Sequence, residues 1–135
     1  MRLWHVDLLP YLPKSQLIAQ KRECDLIWKD IAAGKQTNHI LINYIWQYDV
    51  THLSNYYLKL YAEFLKRNIA FNVSVNYIPT NDYFMPYEKH HNQQYLLQCF
   101  YNLQEKYVRG QKDFTDSIYQ ELSNFVRKEV NNYVK

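Results

Sequence analysis

Glycine and proline are scarce. The 135 residues hold two glycines, Gly34 and Gly110, and four prolines. Such scarcity argues against a sheet built on tight turns and favours helices. Cysteine is as rare: Cys24 and Cys99 are too few and too far apart for a disulfide framework. Their apolar neighbours mark both as small core residues. No apolar run approaches the ~20 residues that cross a bilayer. The opening MRLWHVDLLPYLP also lacks the basic, apolar and small-residue order of a secretory leader. A cytoplasmic protein whose first residue is its mature first residue is the expectation. Neither sign of charge dominates, and the net +3 permits nucleic-acid binding without requiring it. Internal repeats and low-complexity tracts are absent.

Tyrosine is what the chain has in surplus, 14 against 6 Phe and 3 Trp. An apolar ring with a hydroxyl at its tip suits a cleft that meets polar ligands or stacked bases. It suits equally well a core in which most of these rings simply pack. The length is that of one domain with a respectable core.

Pro10 and Pro13 break the opening segment, so residues 1–14 read as an irregular arm. Ser15 is placed to cap a helix running to about Ala33, with Gly34 as its left-handed terminator. Residues 38–48, NHILINYIWQY, are apolar at too many positions for a surface element. They predict a short buried helix, with a strand as the rival. Thr51 is placed to cap the next helix, in which Leu53, Tyr57, Leu60, Tyr61 and Phe64 recur at three- and four-residue steps. Asn68 stands where glycine usually ends such a helix. Residues 69–88 are polar and aromatic, interrupted by Pro79 and Pro86, and read as a long connection. Two more helices follow. One runs from about His91 to Arg109 on Leu96, Phe100, Leu103 and Tyr107. The other runs from about Asp113 to Tyr133 on Phe114, Ile118, Leu122, Phe125 and Val126. The expected architecture is all-α, a single compact domain of four to five helices.

Wound at 100° per residue, the first helix gathers Lys21, Arg22, Asp25 and Lys29 on what reads as its solvent face. Leu17, Cys24, Ile27, Trp28 and Ile31 form one apolar stripe, and Ala19, Leu26 and Ala33 a second. Between them lie Gln16, Gln20, Glu23 and Asp30, a polar slot aimed at the interior or at a cleft in it. A buried carboxylate requires a partner. The slot is either an amide or ion-pair network that fixes helix packing, or a carboxylate held for chemistry in a low-dielectric pocket.

The stretch from Met1 to Glu23 resembles the start of the pyrimidine-dimer DNA glycosylase family, carried by QLIAQKRE with Leu17, Ala19, Arg22 and Glu23 at the family's positions. FLKRNIAFN, residues 64–72, resembles the end of the family's second helix, and PYEKHH, residues 86–91, the approach to its third. The opening is similar still more closely to small bacterial proteins assigned to that family. The resemblance covers residues 1–110, with 15–110 a family-like core and 111–135 an extra C-terminal helix.

The resemblance implies a repair glycosylase with abasic-site lyase activity on pyrimidine dimers or related lesions in double-stranded DNA. It implies no metal or organic cofactor. The nucleophile is the α-amine of the first residue, which attacks the sugar C1′, expels the base and forms a Schiff base before elimination cuts the strand. Met1 and Glu23 are then the catalytic candidates. Arg2, Arg22, Gln16 and Ser15 are the candidates for DNA contact, with His5 and Gln20 as auxiliaries. Arg2 is too bulky for removal of the initiator methionine, so the amine belongs to Met1. Leu26 stands where phage members carry a second arginine.

His5 is placed either to shuttle a proton or touch phosphate, or simply to pack. His90 and His91 lack a third ligand for a metal. Lys21, Lys29 and Lys35 read as a solvated face across which phosphates could lie. A monomer is expected. Two other readings stand beside the enzyme: a non-catalytic nucleic-acid-binding module of the same fold, and a purely structural or partner-binding helical domain.

Overall fold

The computed structural model describes residues 2–36 and 38–134, with side chains described as far as residue 130. Four α-helices carry the fold: α1 (Lys14–Ala32), α2 (Thr51–Lys66), α3 (Gln93–Val108) and α4 (Asp116–Val134). Short 3-10 helices lie at Val6–Tyr11 and Asn43–Gln47, and the described residues contain no strand. The all-α expectation holds.

Helix ends follow local chemistry, as do the starts of α3 and α4, whereas α1 and α2 do not start on the expected caps. Gly34, Asn68 and Gly110 adopt φ of +69°, +58° and +86° after α1, α2 and α3, as residues that bear the left-handed conformation most easily. Ser15, expected to cap α1, does not. Pro13 holds the cap position without a side-chain bond, and Ser15 donates its backbone N–H and its hydroxyl to Asp113 at 2.8 and 2.9 Å. A carboxylate from the α3–α4 loop thus meets the positive end of the helix dipole. Partial burial raises the pKa of Asp113, but the Ser15 N–H, Gln111 and the Ser15 hydroxyl hold it below the ordinary value. Thr51 does not cap α2 either; Asp49 accepts its N–H at 3.0 Å. α3 begins at Gln93 because the Asn92 side chain accepts the Tyr95 N–H. α4 begins at Asp116, where Thr115 accepts the Ile118 N–H.

The core joins one stripe of α1 (Leu17, Cys24, Ile27, Trp28) to Leu53, Tyr56, Tyr57, Leu60 and Phe64 of α2. Leu96, Cys99, Phe100 and Leu103 of α3 and Leu122 and Val126 of α4 complete it. The second apolar stripe expected on α1 does not exist: Ala19, Leu26 and Ala33 are exposed. Nor is the Lys21–Asp25 side solvated. Lys21 pairs with Asp25 and donates to the Asn72 carbonyl, while Tyr57 donates to Asp25. The long connection lies across that face. It is tied to α2 by Ser54 donating to the Ile78 carbonyl and by Asn55 exchanging bonds with Asp82 and Phe84. Tyr61, read as part of the buried face of α2, is 42% exposed. Residues 38–48 form neither a buried helix nor a strand. They make a turn and the second 3-10 helix, with Ile42 and Ile45 buried and Ile40 and Leu41 exposed.

The largest difference from expectation is the arm. Leu3, Trp4, Val6, Leu8, Leu9 and Leu12 are all buried, and its 3-10 helix packs on both α2 and α4. Arg67 at the end of α2 donates to the Leu12 and Pro10 carbonyls at 2.8 and 3.0 Å. Burial of several aliphatic side chains, each favourable by about 1.5–3 kcal/mol, makes this irregular segment part of the core.

Beneath the arm lies a histidine–tyrosine cluster. Val6 donates its N–H to His91 Nδ1 at 3.1 Å, and Tyr44 meets His91 Nε2 at 2.6 Å. A backbone N–H can only donate, so neutral His91 carries its proton on Nε2 and gives it to Tyr44. Protonation of Nδ1 would set two donors face to face. Burial first, then neighbouring His5 and His90, push the His91 pKa down to about 2. The ring titrates near 6.5 when unfolded. Between those values the unfolded chain binds a proton that the folded chain refuses, so stability is full above about pH 6.5 and falls as the pH drops. Urea titrations are expected to show unfolding free energy falling from pH 6.5 to 4.5 by about 1 kcal/mol per pH unit. In His91→Gln that slope should be shallower, and an equal slope in both proteins would contradict the assignment.

Candidate functional site

Gln16, Ala19, Gln20 and Glu23 lie three or four residues apart on α1 and so share a face. They line one cleft of roughly 350 Å³. Arg2 and Trp4 enter it from the arm, Leu41 from the 38–42 turn, and Asn102 and Lys106 from α3. Asp30, grouped with the slot by angle alone, is not among its lining. A groove of about 390 Å³ elsewhere is lined by Asp7, Glu63 and Glu129 against a single Lys59. Its charge is wrong for a polyanion, and its lining holds none of the sequence's candidates.

Gln20 explains how the arm is held. Its carboxamide donates from Nε2 to the Arg2 carbonyl at 3.0 Å and accepts the Trp4 N–H on Oε1 at 2.6 Å. Tyr56 of α2 donates its one hydroxyl proton between the Trp4 carbonyl at 2.6 Å and Gln20 Oε1 at 3.0 Å. Tyr95 of α3 donates to the Leu3 carbonyl. Every carbonyl from residue 2 to residue 4 is therefore met by a side chain, which permits an extended segment with no strand beside it to be buried.

Glu23 sits one turn further along α1. Its Oε2 is buried without a hydrogen-bond partner among the described residues, an expensive condition for a carboxylate. Met1 lies outside the described residues. Arg2, next to it in the chain, directs its guanidinium toward Cys99 Sγ at 3.8 Å and lies 5.9 and 5.8 Å from the Trp4 and Tyr95 ring centres. Burial raises the pKa of Cys99, against the opposing effects of the His5 backbone and Arg2, so it serves Arg2 as a neutral thiol.

The other candidates are placed differently. Gln16 is half-buried in the cleft and accepts from Gln111 of the α3–α4 loop. Ser15 is exposed but occupied with Asp113. Arg22 is exposed on α1 and is not part of the lining. His5 is buried, its Nδ1 accepting the Asp7 N–H and its ring 5.3 Å from that of His91. Burial lowers its pKa, with Asp7 opposing. It stands among packing groups rather than in the cleft. Asn102 and Lys106 were missed by sequence reasoning. Their four-residue spacing on the polar side of α3 was visible, but nothing local says that this side faces α1.

Residues 1–77 match the model of the family described as pyrimidine dimer DNA glycosylase. The chain belongs to that family. No curated protein and no solved structure matches it.

Because Gln20 supplies a donor and an acceptor at once, Gln20→Leu should destabilise the fold by about 2–3 kcal/mol. The same substitution should speed hydrogen exchange at the Trp4 amide more than at amides within α4. Equal protection of Trp4 in both proteins would refute the clamp.

Proposed function

We propose that the chain is a DNA glycosylase with associated abasic-site lyase activity on pyrimidine dimers or related lesions. In this reading the α-amine of Met1 is the nucleophile and Glu23 is the carboxylate that serves it. The observation that carries the reading is the buried oxygen of Glu23 that has no hydrogen-bond partner among the described residues, in the same cleft as Arg2. Consecutive Cα atoms stand about 3.8 Å apart, so an amine on Met1 is tethered within one residue's reach of that cleft.

A free α-amine has an ordinary pKa of about 7.7–8.0, which leaves a useful neutral fraction near pH 7. The cations of Arg2 and Lys106 favour that neutral form. The amine nitrogen attacks C1′ of the damaged nucleotide, and the base leaves with the electrons of the glycosidic bond. Opening of the sugar ring then gives a protonated Schiff base. Glu23 stabilises the cationic character at C1′ and nitrogen and moves protons between them. Loss of a 2′ proton expels the 3′ phosphate and cuts the strand.

Arg2, Arg22 and Lys106 meet phosphates or the lesion, while Gln16, Ser15 and Asn102 line the approach. The substrate is double-stranded DNA, from which a nucleotide must be unstacked for the amine to reach its sugar.

Borohydride reduction with ultraviolet-irradiated and abasic duplexes is expected to trap a covalent protein–DNA adduct, lost when the N-terminus is acetylated. Glu23→Gln should slow trapping by about 100-fold or more while weakening binding by no more than about threefold. Absence of an adduct on both substrates would overturn the proposal. Salt-sensitive binding indifferent to Glu23→Gln would indicate the non-catalytic module instead.

A further inference from the structure

We infer that Ile40 and Leu41 form an apolar wedge that enters the base stack of bound duplex and fills the gap left by a displaced nucleotide, an inference that rests on the repair reading above. Both side chains are placed against the ordinary preference for burial: Ile40 is 89% exposed and Leu41 44%. The turn that presents them is a built one. Ile42, the next residue, is fully buried and anchors it. The Ile42 N–H donates to the His39 carbonyl at 3.0 Å, and the His39 N–H to the Asn43 side chain at 2.9 Å.

Position selects these two from the other exposed aliphatic residues. Val75, Val108 and Leu65 are 98%, 75% and 63% exposed, yet none of them lines the cleft, whereas Leu41 does and Ile40 adjoins it in the same turn. Leu41 therefore stands at the mouth of the space that holds Glu23, Arg2 and Lys106, with the exposed Ile40 next to it in the chain. Cations and an amide around an aliphatic tip fit a duplex, whose phosphates meet the charges and whose opened base step accepts the tip. Proteins that open a base step commonly insert such a side chain, and a displaced nucleotide leaves unstacked faces that water solvates poorly.

Single-strand and duplex substrates separate this role from a merely structural one, because a single strand has no paired stack to fill. Borohydride trapping rates on one abasic oligonucleotide, alone and paired, are to be compared for wild type, Leu41→Met, Leu41→Gln and the double variant Ile40→Ala/Leu41→Ala. The double variant is expected to lose about tenfold more rate on the duplex than on the single strand. Leu41→Met should restore the duplex rate and Leu41→Gln should not. Equal losses on both substrates, or a Gln variant as fast on duplex as the Met variant, would overturn the wedge while leaving wild-type trapping intact. Failure of wild type to trap either substrate would remove the repair reading, and the wedge with it.

Discussion

One side chain does what a neighbouring strand does elsewhere. The Gln20 carboxamide meets both the carbonyl of Arg2 and the N–H of Trp4, and no residue type lacking both a donor and an acceptor could replace it. Its oxygen is shared with Tyr56, which also holds the Trp4 carbonyl. Buried polar networks of this kind rigidify when complete and are costly when a member is lost. The start of a chain is ordinarily its loosest part; here it is bonded at each residue from 2 to 4. Both Arg2 and the hydrophobic burial of the rest of the arm depend on that arrangement.

The helices divide the labour around the arm. α1 turns one face to the core through Leu17, Cys24 and Trp28, and an adjacent face to the cleft through Gln16, Gln20 and Glu23. α3 supplies the opposing wall with Asn102 and Lys106, and the tyrosine that holds Leu3. α2 presents Tyr56 from below. The Glu23 oxygen that has no hydrogen-bond partner among the described residues lies between elements fixed by contacts of their own. Such preorganisation is what a reacting group requires. A reactive chain end is only as well positioned as the segment that carries it, which makes the clamp part of the proposed chemistry as much as of the fold.

Periodicity was enough to read the elements whose cause is local. The helices, their left-handed ends at Gly34, Asn68 and Gly110, the buried cysteines and the shared face of Gln16, Gln20 and Glu23 follow from spacing and residue type. What spacing could not show was the identity of distant partners. Ser15 looks like a cap until Asp113 arrives from across the molecule. Lys21 and Asp25 look solvated until the long connection lies over them. Ala19 and Leu26 match the apolar template yet face outward, because a local pattern does not say whether a packed element or open space, such as the cleft that Ala19 lines, lies beside it. Much of the tyrosine surplus is structural: Tyr44, Tyr56, Tyr87 and Tyr95 pack in contact with one another or with His91, and Tyr57 packs on Tyr77.

The long reach of the arm's bonds has a consequence for biosynthesis. Leu3 and Tyr95 are separated by 92 residues, Val6 and His91 by 85. During translation, at roughly 5–20 residues per second, residues 3 and 6 therefore leave the ribosome seconds before His91 and Tyr95, which complete their bonding, exist. Gln20 and Tyr56 are made earlier and meet residues 2 and 4, but the Leu3 carbonyl and the Val6 N–H gain their partners only when Tyr95 and His91 emerge. A chain terminated before α3 consequently lacks the wall that Asn102 and Lys106 give the cleft.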